Sequence, residues 1–140
     1  AKRANIIFTL LDAARLKLRN QALCDRAWVR RIEFETPWGR GAALLSDASG
    51  VEVNAYRDNF AILVQVEPTN QFRSIRAKPD SKADLSKIYQ KVTEMEPEAD
   101  WYLHQSKRLL LNGSGTAPLG VKSKLKLQEL IDLVKKRRAN

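Results

Sequence analysis

Turn-forming residues punctuate the stretch 28–76 so closely that only short extended segments fit between them. Thr36-Pro37-Trp38-Gly39-Arg40-Gly41, Asp47-Ala48-Ser49-Gly50, Arg57-Asp58-Asn59 and Pro68-Thr69-Asn70 each interrupt an apolar or alternating run. Trp28 to Glu35 alternates loosely, and Ala42 to Ser46 is a short apolar run. Val51, Val53 and Ala55 alternate with Glu52, Asn54 and Tyr56. Phe60, Ile62, Val64 and Val66 share one face of a further strand, with Ala61 and Leu63 on the other, and Gln71 to Arg76 reads as a last edge strand. Turns at this spacing predict an antiparallel meander of four or five strands rather than parallel βαβ units. The strand over 60–66 is apolar on both faces and belongs at the centre of the sheet.

Helical periodicity flanks this middle. Over about 5–26, Ile7, Leu10, Leu11, Ala14 and Leu18 follow the i, i+3, i+4, i+7 spacing of one apolar face. Leu16 and Leu23 fall nearly opposite, and a helix apolar on two sides is covered on both, by its own domain or by a partner subunit. After Asp80, Leu85, Ile88, Tyr89 and Val92 form a stripe, with Ser81 and Asp84 placed as a capping box. Pro97 suits the first turn of another helix reaching Leu111, which Asn112-Gly113 would stop. Residues 113–121 read as a linker. A last helix over about 122–138 has Leu127, Leu130, Ile131 and Val134 as its apolar stripe. The expected fold is α+β: an N-terminal helix, the meander sheet, then three C-terminal helices. Residues 1–112 form a single α+β domain in this reading, 113–121 a hinge, and 122–140 a basic C-terminal helix or arm.

Composition narrows the chemistry. Of 140 residues, 44% are hydrophobic and 29% charged, as in an ordinary folded domain. The one cysteine, Cys24, excludes an internal disulfide framework, and with one histidine, His104, it leaves no zinc cluster. Both facts fit a reducing intracellular, cytoplasmic compartment. No apolar run is long enough to span a bilayer. The opening residues imitate a secretory signal only until Asp12 and Arg15, so none is expected. His104 is the only possible base for a Ser-His-Asp or Cys-His arrangement, and it falls in a predicted helix. The glycines of 113–120 lack the Gly-Lys-Ser/Thr ending of a phosphate loop and the spacing of a dinucleotide fingerprint, so no cofactor is expected. A metal-dependent nuclease could draw on Glu33, Glu35, Asp47, Glu52, Asp58 and Glu67, yet no carboxylate–x–lysine strand motif occurs.

The charge is segregated. Residues 1–31 carry a balance of +6 and residues 106–140 of +7, while residues 32–70 carry −4, within a total of +9. Basic ends around an acidic middle suggest a polyanion-facing surface. The candidate nucleic-acid-binding residues are Arg15, Arg19, Arg26, Arg30 and Arg31 in the first cluster. Trp38 and Arg40 occupy a turn, Trp38 as a candidate stacking platform, and Arg73, Arg76 and Lys78 end the sheet. Lys107, Arg108, Lys122, Lys124, Lys126, Lys135, Lys136, Arg137 and Arg138 make up the C-terminal cluster. Lys and Arg suit phosphates because each neutralised phosphate releases condensed counterions, and aromatics among them let bases stack. Trp28 and Phe72 read instead as core residues. The expected function is non-enzymatic binding of DNA or RNA with low sequence specificity, in a chain that could form a homo-oligomer. The alternative is a structural or adaptor protein that assembles with itself or a protein partner through its basic ends and acidic middle.

Overall fold

The computed structural model describes residues 2–113 and 120–136, and for residues 2–9 the backbone alone. In chain order the elements are α1 (Lys2–Val29), β1 (Ile32–Thr36), β2 (Gly39–Leu45), α2 (Glu52–Arg57), β3 (Ile62–Val66), β4 (Arg73–Ala77), α3 (Ser86–Met95), β5 (Trp101–Leu103), β6 (Leu109–Asn112) and α4 (Leu127–Val134). The class is α+β. The strands make one six-stranded sheet in the order β1-β2-β3-β4-β6-β5.

β3 is central, as its two apolar faces require, and each of its residues is buried. Its alternation divides the core. Ile62, Val64 and Val66 face one layer with Ile75, Leu110, Ile88, Val92, Leu130, Ile131 and Val134, so α3 and α4 cover that side. Leu63 faces the other layer with Ala42, Leu44, Cys24, Trp28, Val51, Ala55 and Phe60, under α2 and the last turns of α1.

The meander is corrected at three places. β2 and β3 run parallel, with Ala43 opposite Val64, because α2 intervenes and returns the chain in the same direction. The alternation at Val51, Val53 and Ala55, read as extended, also satisfies the spacing of a helix. α2 and its N-cap bury Val51, Asn54 and Ala55 and leave Val53 in solvent. The segment expected as an edge strand, β4, is an inner strand between β3 and β6.

The helix expected from Pro97 to Leu111 is also corrected: that segment is the hairpin β5–β6. Its residues favour a helix weakly, and pairing with the otherwise open edge of β4 overrides that preference. Lys107 makes the hairpin turn possible by adopting a left-handed conformation at φ 62°, its N–H bonded to the His104 carbonyl. His104 is therefore a turn residue, with Nδ1 2.9 Å from the Ser106 hydroxyl. The C-terminal arrangement is two helices and a hairpin, not three helices.

α3 begins later than its capping pattern suggested: the Asp84 carboxylate accepts the Ser86 N–H at 2.9 Å, while the Ser81 hydroxyl turns back to the Lys78 carbonyl. The segment 121–125 and α4 lie against the body of the domain. Val121 and Ser123 bond both ends of the Asn112 side-chain amide, and Leu125, Leu130, Ile131 and Val134 enter the main core. Of the linker expected over 113–121, residues 114–119 lie outside the described residues.

Candidate nucleic-acid interface

The loops at the end of the sheet where β1 turns into β2 bring several of the candidate cations together. Thr36 orders that turn: its hydroxyl donates to the Gly39 carbonyl at 2.7 Å and accepts the Trp38 N–H at 3.1 Å. Gly39 takes φ 133°, which an L side chain rarely adopts, and this releases Arg40 toward Asp58. The Arg40 guanidinium lies 4.3 Å from the centroid of the Phe60 ring and donates to the Asp58 carbonyl at 2.8 Å. Lys78, just past β4, donates to the Asn59 side-chain carbonyl at 2.8 Å. Asn59 presents that oxygen from a left-handed turn at φ 62°.

Trp38, Arg40, Asn59, Lys78 and Ser81 thereby line one depression of about 390 Å3. On the other side of the segment 77–81 lies a second depression of about 280 Å3, lined by Tyr56, Arg76, Pro79, His104 and Arg108 among others. Arg108 links the two, because its Nε donates to the Ser81 carbonyl at 3.1 Å. Lys107 is exposed at the adjoining hairpin turn.

The electrostatics of this band are simple. Arg40 and Arg108 bond to carbonyls, which hold the guanidinium without neutralising it. Among the described residues, the one carboxylate paired with Lys78 is the exposed Asp80, at 3.8 Å. Asp58 receives the Trp28 indole N–H at 2.7 Å, which with the Arg57 side chain holds its carboxyl below the usual range. Asp84 is likewise held low, first by Ser86 and then by the nearby Lys107 and Arg108. Tyr56 has its phenol pushed up by burial, against the field of Arg76.

The remaining candidates disperse. Arg15 and Arg19 are exposed on the part of α1 that precedes its packed end. Arg26 and Arg30 line a different groove, described below. Arg31 lies over Trp28 and Phe60, at 4.5 and 5.5 Å from their centroids, so it packs the second core. Arg73 is 6% exposed and inside the domain: Nε donates to the Leu125 carbonyl at 2.7 Å and fastens the C-terminal segment. Burial lowers its pKa, against the field of Glu96. Lys122 donates to the Asn70 carbonyl at 2.6 Å with Nζ 5.2 Å from the Phe72 centroid, while Lys124 and Lys126 are exposed. Lys135 pairs with Asp132 at 2.9 Å, and Lys136 is exposed beyond α4. Arg137 and Arg138 lie outside the described residues.

Trp38 is half-buried, packed on the main core, so it offers a stacking surface smaller than a free indole. Trp28 and Phe72 are buried, as their core reading anticipates. Cys24 is buried too, its thiol pushed up first by that burial. The sequence pattern assigns Tyr56, Asn59 and Ser81 no binding role. Only Asn59 had a readable signal, since Asp-Asn pairs tolerate the left-handed region.

The acidic candidates do not converge on a metal. Glu33 lies 3.2 Å from Arg31, and Asp47 accepts both the N–H and the hydroxyl of Thr69, at 3.0 and 2.6 Å. Among the described residues, no three His, Cys, Asp or Glu side chains are placed as metal ligands. No described helix is long and apolar enough to cross a membrane. Comparisons with protein-family models, with curated proteins and with solved structures give no match.

Proposed function

We propose that the protein is a non-enzymatic nucleic-acid-binding protein that holds a phosphate backbone along the band Arg40–Lys78–Arg108–Arg76. The observation that carries this reading is the convergence of Trp38, Arg40 and Lys78 on one depression, with Arg108 bonded to its wall. Their positive charge is positioned by carbonyl oxygens and left available for phosphates. Trp38 and Tyr56, beside them, offer partial aromatic faces to unstacked bases, which favours a single strand over a duplex. Base-edge readout is not part of the proposal, because the band consists of cations and rings, and specificity is accordingly low.

Titration of fluorescent oligothymidine and oligouridine against salt tests it. Binding should weaken linearly on a log–log plot, with a slope of about −0.7 for each phosphate neutralised. Alanine at Lys78 and Arg108 should flatten that slope. Retained binding with an unchanged slope in both variants would sink the reading.

A second reading, an adaptor that assembles with itself or a protein partner, draws on a separate observation. Leu10, Leu11, Leu16 and Leu18 are all exposed on α1, more apolar surface than a solvated helix needs. Sedimentation velocity of the protein and of a Leu11→Ser, Leu18→Ser variant distinguishes it. Assembly through α1 gives a larger species that the variant loses.

A further inference from the structure

Among the described residues, the backbone of Leu45 on β2 has no partner strand on the side of β1. β1 pairs with β2 only as far as Ile32 opposite Ala43. Before Ile32 the chain turns away into α1, through Arg30 N–H to the Ala27 carbonyl and Arg31 N–H to the Trp28 carbonyl. On its other side β2 runs parallel to β3, and the Ser46 N–H bonds the Val66 carbonyl. In that pattern Leu44 and Ser46 address β3, so the N–H and C=O of Leu45 point the opposite way, toward the line that β1 has left. No described residue bonds either group. They open into a groove of about 430 Å3 between α1 and the start of α4.

The walls of the groove differ by face. Leu45 shares a face with Ala43, and on that side Ile32 and Leu127 add apolar surface. Leu45 and Ile32 are 63% and 47% exposed, although they flank a core. The opposite wall is α1, with Leu23, Arg26 and Arg30. Both arginines are exposed. The outer edge of β1 is a poorer acceptor, since it displays Glu33 and Glu35, and the Glu35 carbonyl already takes the Lys136 N–H at 2.7 Å.

We infer that this groove binds an extended peptide segment by strand addition at Leu45, with an apolar residue opposite Leu45 and acidic residues on either side of it. Residues directly opposite share a face, so the apolar side chain lies beside Leu45, Ile32 and Leu127. Its neighbours in the peptide point the other way, to Arg26 and Arg30. Main-chain bonds supply affinity, and the alternating walls supply specificity. A second copy is a poorer occupant, because symmetric pairing through Leu45 would gather the arginines of both copies. A nucleic-acid strand could use Arg26 and Arg30, but it has no use for the apolar wall or for the open N–H and C=O of Leu45.

Fluorescence anisotropy with the labelled, end-capped peptide Ser-Glu-Val-Glu-Ser tests the inference. Saturable binding is expected, weaker by about tenfold when the valine nitrogen is methylated, since that removes one bond and blocks the approach. Replacing both glutamates by lysine should weaken it similarly, and Arg26→Glu with Arg30→Glu should invert that preference. Leu45→Pro should abolish binding while keeping the fold, because its N–H faces an edge. The methylated peptide reads the same contact in the unaltered protein. Absence of saturable binding, or equal binding of the methylated peptide, overturns the inference. So does displacement of the peptide by oligothymidine that depends on Arg26 and Arg30, which would assign the groove to nucleic acid.

Discussion

The guanidinium of Arg31 lies 4.5 Å from the centroid of the Trp28 indole, and the indole N–H in turn donates to Asp58 at 2.7 Å. Two residues that look alike in sequence, Arg30 and Arg31, therefore have different work. Arg31 also reaches Phe60 and lies 3.2 Å from the Glu33 carboxylate, so its charge is already engaged. Replacing it with alanine should lower unfolding free energy by about 1–2 kcal/mol, mostly through lost cation–π contact and packing. Urea denaturation measures that loss. Nucleic-acid affinity and its salt slope should not change, whereas a phosphate-binding Arg31 would alter both.

Lys78 and Arg108 should behave in the opposite way. Each is positioned by a neutral oxygen, Asn59 Oδ1 for Lys78 and the Ser81 carbonyl for Arg108. Alanine at either position should reduce the magnitude of the salt slope by roughly 0.7 and weaken binding evenly across sequences, as expected of backbone contacts. Thermal stability should move little for Lys78, whose ion-pair partner Asp80 is exposed.

The contrast between Arg31 and Lys78 also marks what a sequence reader could find. The central strand is legible because both its faces are apolar, and the two outer helical runs because their periods are long, although the periodic leucines Leu10, Leu11 and Leu18 of α1 are exposed and it packs through Cys24 and Trp28. Val51, Asn54 and Ala55 fit a helix as well as Val51, Val53 and Ala55 fit a strand, and only the parallel pairing of β2 with β3 decides between them. The hairpin at Trp101–Asn112 was hidden because its turn depends on a left-handed lysine rather than glycine. The charge count located the basic ends but not their geometry. Arg73 and Arg76 are three residues apart, yet strand alternation sends one guanidinium inside to Leu125 and leaves the other half-exposed.

Gly41 offers a test of packing under the candidate interface. A Cβ there would meet the Phe34 ring at 2.5 Å and the Thr36 methyl at 2.8 Å. Thr36 is the residue that orders the turn carrying Trp38. Gly41→Ala should therefore destabilise the domain by about 1–3 kcal/mol through overpacking. It should also weaken oligonucleotide binding beyond the loss of folded protein, by displacing Trp38. Calorimetry and anisotropy on the same sample separate the two effects, and binding that simply tracks the folded fraction would contradict the second.

Glu96 fixes the C-terminal segment and should make stability depend on pH. Its carboxylate accepts the Ser123 hydroxyl at 2.5 Å, the Lys124 N–H at 2.7 Å and the Trp101 indole N–H at 3.2 Å. Burial alone would raise its pKa, but those three bonds, helped by the field of Arg73, outweigh burial and hold it below the ordinary value of 4.5. A carboxyl depressed on folding adds stability that is complete above its unfolded pKa and is lost as the pH falls through the folded one. Glu96→Gln keeps the shape but weakens the charge-assisted bonds, and should cost about 2–3 kcal/mol at neutral pH. Urea titrations of both proteins should show that difference intact down to about pH 5 and shrinking below it. The released segment would be 121–125, so protection of the Ser123 and Leu125 amides against hydrogen exchange should fall first in the variant. A difference that persisted unchanged in acid would mean that Glu96 acts through its shape and not through its charge.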